Sequence, residues 1–235
     1  MKGEDSIKQV IQHSWDLCES QAIILQNELA LKVIKEDQLE PVNFIAGVDV
    51  AYSKNNDRLV AAVVILDAAT LKLIDSSVVV DSSNFPYIPG LFSFRELPPI
   101  IKAFSKISIT PDLIVCDGQG VAHPRRFGLA SHLGVLFNIP TIGCGKTKLI
   151  GNSEEPGQIR GKYATLYDQF DEVGIVLRTQ DNIKPIYVSV GHRISLPTAC
   201  KWILRLTPRF RLPETTRQAD QLVNRYLSNL EENRG

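Results

Sequence analysis

Between Phe44 and Val80 the chain carries three strand-like runs joined by short polar connections. Phe44 to Ala51, Arg58 to Leu66 and Leu71 to Val80 are rich in Val, Ile and Ala. Asn55-Asn56-Asp57 and Asp67-Ala68-Ala69-Thr70 separate them, and connections of this length favour antiparallel neighbours. The chain then changes character. Pro86, Pro89 and Gly90 mark a loop, and Phe94, Leu97, Ile101 and Phe104 predict a helix. Leu113 to Cys116 is a short apolar strand, Leu129, Leu133 and Leu136 give another helix face, and Thr141 to Cys144 reads as a strand. Alternation of strand and helix implies parallel pairing. Further strands are expected around Lys162 to Tyr167, Gly174 to Arg178 and Ile186 to Val190, and closing helices around Leu196 to Leu206 and Thr215 to Leu230. Upstream, Ile7, Val10, Ile11, Trp15, Leu17, Ile24, Leu25 and Leu29 predict one long helix or two shorter ones over residues 6 to 36, with Pro41 ending the segment.

An antiparallel meander followed by β-α-β-α units is the element order of the ribonuclease-H-like fold: an α/β protein with a mixed central sheet flanked by helices. In that fold acidic residues of the central strands meet at one edge of the sheet, an analogy that individual residues must support. The 235 residues, 44% hydrophobic and 22% charged, suit one domain spanning 1–235 with a sizeable core. No apolar run reaches the roughly 18 residues of a membrane span. The opening Met1-Lys2-Gly3-Glu4-Asp5 leads into no signal-peptide core, so a cytoplasmic location is expected. Cys18, Cys116, Cys144 and Cys200 form no C-x-x-C pair and read as reduced, buried small residues. With a formal net charge of zero, phosphate contacts must come from local basic clusters.

Asp49 interrupts the apolar run Ile45-Ala46-Gly47-Val48-Asp49-Val50, where a carboxylate is costly unless compensated. It is either a solvent-facing residue of an edge strand or a functional group. Asp117 ends the strand Leu113 to Cys116, at the end where sites of open α/β sheets lie, although an Asx-turn would use the same residue. Glu96 belongs to Ser93-Phe94-Arg95-Glu96, which also fits a helix capping box, with Pro98 and Pro99 near the first turn. Three converging carboxylates would repel one another, and a divalent cation removes that problem. Oxygen ligands favour magnesium or manganese. His123 reads as a surface-loop histidine or a member of the same site. Gly145-Lys146-Thr147 invites a phosphate-loop reading that fails, because Pro140 stands where its first glycine is required. Lys146 is better read as a point charge for a phosphate. Arg125, Arg126 and Lys148 are candidates to grip a nucleic-acid backbone.

Together these blocks resemble the endonuclease V family. The resemblance runs from about Phe44 to Asp220. It rests on Ile45-Ala46-Gly47-Val48-Asp49, Pro86-Tyr87-Ile88-Pro89-Gly90 with Phe94-Arg95-Glu96, Asp117-Gly118-Gln119-Gly120 and Ala122-His123-Pro124-Arg125-Arg126. Gly128 to Gly134, Val188 to Leu196 and Leu212-Pro213-Glu214 extend it. The resemblance implies magnesium-dependent cutting of DNA at the second phosphodiester 3′ to deoxyinosine, leaving 3′-hydroxyl and 5′-phosphate ends, with inosine-containing RNA a further candidate substrate. By position, Asp49, Glu96 and Asp117 match metal-binding carboxylates, and His123 and Lys146 match supporting active-site residues. Pro86, Tyr87, Ile88 and Pro89 match a strand-separating wedge. Gly90, Leu91, Gly120, Gly128 and Gly145 are expected to wall the base pocket largely with backbone. His132 and Asp220 match auxiliary polar positions. Phe92 stands where the pattern has a smaller aliphatic residue and Gly145 where it has alanine, and both bear on pocket width. His192-Arg193 is characteristic of the family but expected to serve the fold. A monomer is expected.

Three rival readings are weaker. An RNA–DNA hybrid nuclease has no lesion to open and no use for the Pro-Tyr-Ile-Pro wedge. A non-catalytic nucleic-acid-binding module could lose a carboxylate, yet all three are present. A nucleoside triphosphatase falls with the failed phosphate loop.

Overall fold

The computed structural model describes residues 7–53 and 58–232. The Asn55-Asn56-Asp57 connection and residues 1–6, including the first residue of the expected N-terminal helix, lie outside the described residues. In chain order the elements are α1 (Glu19–Ala30), β1 (Phe44–Tyr52), β2 (Arg58–Asp67), β3 (Leu73–Ser82), α2 (Phe92–Phe104), β4 (Leu113–Cys116), α3 (Leu129–Phe137), β5 (Thr141–Gly145), β6 (Tyr163–Asp168), β7 (Asp171–Leu177), β8 (Ile186–His192), α4 (Leu196–Leu206) and α5 (Glu214–Glu232).

One eight-stranded sheet runs in the order β3-β2-β1-β4-β5-β8-β7-β6. The meander β1–β2–β3 is antiparallel, and β4 and β5 add in parallel beside β1. This is the ribonuclease-H-like arrangement. The parallel set ends at β5, because β8 returns antiparallel to it. Period-two alternation divides the central strands between two cores. Ala46, Val48, Ile114 and Cys116 face α2 and α3, packing with Leu97, Ile100, Phe104 and Leu133. Ile45, Leu113 and Val115 face the other way, toward Ala199 and Ile203 of α4. Asp49, in step with Ile45, shares that second face, over which α5 crosses β1 and β2.

The N-terminal segment departs from expectation. Only Glu19–Ala30 is helical, and residues 7–18 run as irregular chain. Ile7, Ile11 and Trp15 pack on the α2/α3 core, while Val10 and Ile11 N–H groups donate to Leu136 O at the end of α3. Apolar spacing alone does not separate a helix from a strap whose backbone donors are satisfied tertiarily. The helix also stops at Ala30, well before Pro41, because the following chain is hydrogen-bonded to the end of β8: Ile34 N–H donates to His192 Nδ1, and Arg193 N–H to Ile34 O. His192 thus serves the fold. Pro98 and Pro99 lie well inside α2 and not in its first turn. Among the cysteines, all four are free, Cys116 and Cys144 are buried, and Cys18 is exposed, contrary to its expected burial. Among the described residues no helix is long and apolar enough to cross a membrane.

Candidate active site

The parallel register pairs Val48 with Cys116, so the next residues, Asp49 and Asp117, stand side by side on adjacent strands. Neither is a free surface carboxylate. Burial, and then the charge of Asp117, push the Asp49 carboxyl up to about 8, against the pull of Lys146. Burial also holds Asp117 above the usual carboxylate range, although Lys146 hydrogen-bonds it and pulls the other way. The Lys146 ammonium, on the turn after β5, lies 2.5 Å from Asp117 Oδ2 and 3.6 Å from Asp220 Oδ1. Asp220 therefore belongs to the cluster itself, brought there by α5. Its distance of about a hundred residues from Asp117 in the chain hid that proximity.

Glu96 arrives from α2, on the opposite face. Ser93 is inside the helix and its hydroxyl pairs with His132 Nδ1 at 3.0 Å, so the capping-box reading fails. Glu96 Oε1 instead accepts from Tyr52 Oη at 2.9 Å. Burial pushes Glu96 up to about 7, opposed by the Tyr52 bond and reinforced by Asp117. Tyr52, at the end of β1, is a site neighbour that sequence reasoning missed. Arg211 is another: its guanidinium donates to Lys146 O at 2.8 Å and fixes the turn that carries the ammonium. Among the described residues no three His, Cys, Asp or Glu side chains form a ready-made metal cage. The positive charge nearest Asp117 is that of Lys146, with Arg211 acting on Asp117 and Arg95 on Glu96 as weaker influences.

Beside the carboxylates opens a cavity of about 330 Å³, lined by Gly90, Glu96, Asp117, His123, Gly128, Gly145 and Lys146 among others. Its volume is within the roughly 300–1,000 Å³ of small-ligand pockets. His123 is 4% exposed. Burial, then the neighbouring Arg125 charge, lower it to about 4, so the imidazole is neutral at pH 7. Its Nδ1 accepts the Arg125 N–H at 3.2 Å, which assigns the proton to Nε2. Gly90 has φ +80°, a left-handed conformation that favours glycine. Gly120 stands behind the cavity and not on its wall. A Cβ there would come within 1.9 Å of Val190 O, so this glycine is required by packing against β8. Leu91 is likewise a core residue, buried with Phe85 and Phe94.

The Pro86–Pro89 loop is largely exposed: Tyr87 is 70% accessible, its ring 4.7 Å from that of Phe92, so it is not a core tyrosine. The arginines are committed elsewhere. Arg126 pairs with Asp168 at 2.8 Å and Asp171 at 3.0 Å, and Arg125 donates to Gly90 O at 2.8 Å. They brace loops, and a phosphate grip by free guanidinium groups at these positions is not what the structure holds. Lys148 lines the cavity and is exposed. His132 is buried outside the site, bonded to Ser93 and to His13 Nε2 at 2.9 Å.

Carboxylates gathered beside a cavity at the ends of the central strands of a ribonuclease-H-like sheet define a nuclease of that superfamily. The model of the endonuclease V family matches residues 27–221. An endonuclease V from Nostoc sp. (strain PCC 7120) is 49% identical over 213 residues, covering 90% of this chain and 96% of its own. The crystal structure of the Streptomyces avermitilis endonuclease V superposes with a TM-score of 0.89 at 48% identity, covering 96% of this chain and 99% of that one. An endonuclease V from Ciona intestinalis, solved with a 23mer DNA containing an inosine followed by a ribo-adenosine, gives 0.79 at 28% identity over 91% of this chain and all of that one. The chain belongs to the endonuclease V family and is an endonuclease, a hydrolase of nucleic-acid phosphodiesters.

Proposed function

We propose that this protein is a magnesium-dependent endonuclease that cuts DNA at the second phosphodiester 3′ to deoxyinosine, in repair of deaminated adenine, and that it also accepts inosine-containing RNA. The ends are 3′-hydroxyl and 5′-phosphate. It works as a monomeric single domain in the cytoplasm, and manganese substitutes for magnesium. The observation that carries this reading is the adjacency of the Asp49–Asp117 pair to a cavity walled partly by Gly90, Gly128 and Gly145, with Tyr87 exposed on the neighbouring loop. The Ciona complex supports the substrate.

Asp49, Glu96 and Asp117 are the residues to hold the metal. Their donor chemistry fits: all are carboxylates, the raised values of Asp49 and Glu96 express burial first and the charge of Asp117 in addition, both of which a cation would offset, and hard oxygen donors suit magnesium or manganese. Divalent ions bound there supply water activation and stabilisation of the leaving oxygen. Lys146, paired with Asp117 at the edge of the cavity, would offer its ammonium to a phosphate. Neutral His123 lines the cavity with its ring hydrogen-bonded to the Gly90 backbone, and so supports that wall without adding charge. Tyr87 fills the space of a displaced base, and backbone groups read the hypoxanthine edge, where a carbonyl acceptor replaces the amino donor of adenine.

The test is incubation of one inosine-bearing strand with magnesium, followed by mapping of the cut. A cut one nucleotide beyond the inosine's own 3′ phosphodiester supports the reading. Equal cutting of inosine and adenosine strands overturns it.

A further inference from the structure

Gln26 is a polar side chain of α1 with no exposure, and it lies at the cavity edge. Its carboxamide is fully engaged on the donor side. Nε2 donates to Gly90 O at 3.1 Å and to Phe127 O at 2.7 Å. Oε1 accepts from Arg125 Nε. An amide has two N–H donors, and both are used here on backbone carbonyls. The orientation is thereby determined, since a flipped amide would set oxygen against two carbonyl oxygens and NH₂ against a guanidinium.

The two carbonyls belong to two separate walls of the cavity. Gly90 is the end of the wedge loop, and Phe127 immediately precedes Gly128. Arg125 Nη2 shares Gly90 O at 2.8 Å. The segments carrying Gly90 and Phe127 are thus held together by Gln26, from a third element, which bonds both carbonyls, and by Arg125, which reaches Gly90 O from the Phe127 side. Gln26 also stands one residue before the span matched by the family.

We infer that Gln26 is a specificity-determining positioning residue: by bridging Gly90 O and Phe127 O it sets the separation of the two backbone walls that read the base. Backbone recognition depends on such a brace, because main-chain groups cannot be re-aimed by rotamer choice. A wall displaced by about an ångström costs on the order of a hundredfold in rate at a tightly positioned site. The inference rests on the inosine reading proposed above.

The experiment compares Gln26→Met, Gln26→Glu and Leu29→Ala with the unmodified protein. Methionine keeps length and loses both donors. Glutamate turns the donor face into acceptors. Leu29 is buried on the same helix and does not line the cavity; it packs with Phe127 and Val135 without bonding either carbonyl, so its truncation loosens the docking of α1 while leaving the Gln26 bridge in place. Each is assayed for kcat and KM on inosine and adenosine strands, for inosine-strand affinity in calcium, and for Tm. The expected result is a KM for inosine strands raised at least fivefold in Gln26→Met, kcat within about threefold, and an inosine-to-adenosine ratio lowered at least fivefold. Gln26→Glu should be worse, and Leu29→Ala should keep the ratio. An unchanged KM and ratio in folded Gln26→Met overturns the inference. So does a matching loss of ratio in Leu29→Ala, or failure of both Gln26 variants to fold, either of which makes Gln26 a docking residue. Equal cutting of both strands by the unmodified protein is a different failure, that of the inosine reading itself.

Discussion

Lys146 places its ammonium 2.5 Å from the carboxylate of Asp117, so the charge that compensates this buried acid comes from the chain itself. On the reading proposed above, a divalent ion held by Asp117 would compete with that ammonium, which would leave Lys146 to meet a phosphate. The same pair explains why Asp49, which lies one strand away, remains the less compensated carboxylate.

We predict that Asp49→Ala and Asp117→Ala each lose more than nine-tenths of cutting, at least about 1.4 kcal/mol of barrier. Inosine-strand binding in calcium should remain measurable, because calcium's looser coordination supports binding without chemistry. Turnover above a tenth of the unmodified rate in both variants would remove the metal-ligand assignment.

The carboxylates also predict a pH dependence of stability. Asp49 and Glu96 have folded-state values of about 8 and about 7, above those of an unfolded chain. The metal-free native state therefore binds more protons than the unfolded state, and this site loses stability as pH rises from about 4 to 8. Asp49→Asn should raise the metal-free Tm more at pH 8 than at pH 5. Magnesium should stabilise the unmodified protein more at pH 8, since ligation requires the ionised form. An equal gain at both pH values would contradict the assignment.

Tyr87 is exposed, so Tyr87→Ala should leave Tm unchanged. Inosine affinity should fall by about 1–3 kcal/mol, the worth of base–aromatic stacking. Calorimetry and a binding titration in calcium decide the matter: an unchanged affinity removes the wedge.

The glycines should separate into two kinds. At Gly120 a Cβ meets the Val190 carbonyl oxygen at 1.9 Å, whereas at Gly145 it meets the Gln119 side-chain amide at 2.1 Å. Backbone of a paired strand cannot move aside, but a side-chain amide can rotate. Gly120→Ala should therefore lower Tm steeply. Gly145→Ala should fold and change inosine KM by repositioning Gln119. The opposite ranking of Tm losses would refute this division.

Much of this molecule is legible in its sequence. The meander, β4, β5 and the closing helices follow from apolar periodicity and short polar connections, which are local properties. Asp49 and Asp117 stand out because a carboxylate in an apolar run has a local cost. Other features depended on contacts that periodicity does not encode. Residues 7–18 have helical spacing, yet the Val10 and Ile11 N–H groups are satisfied by the end of α3, and Ile7, Ile11 and Trp15 pack on the core. Glu96 fits a capping box until Ser93 is seen to be paired with His132. Asp220, Tyr52 and Gln26 carry no local signature, because their partners lie far along the chain. The sequence by itself therefore determined which strands form and which acids are costly, since both are decided by neighbours within a few residues. Only the tertiary structure decided that Asp220 joins the acids, that Arg125 and Arg126 brace loops, and that Gln26 ties two cavity walls. Those pairings depend on how α1 and α5 dock on the sheet, and docking is a sum over the whole chain.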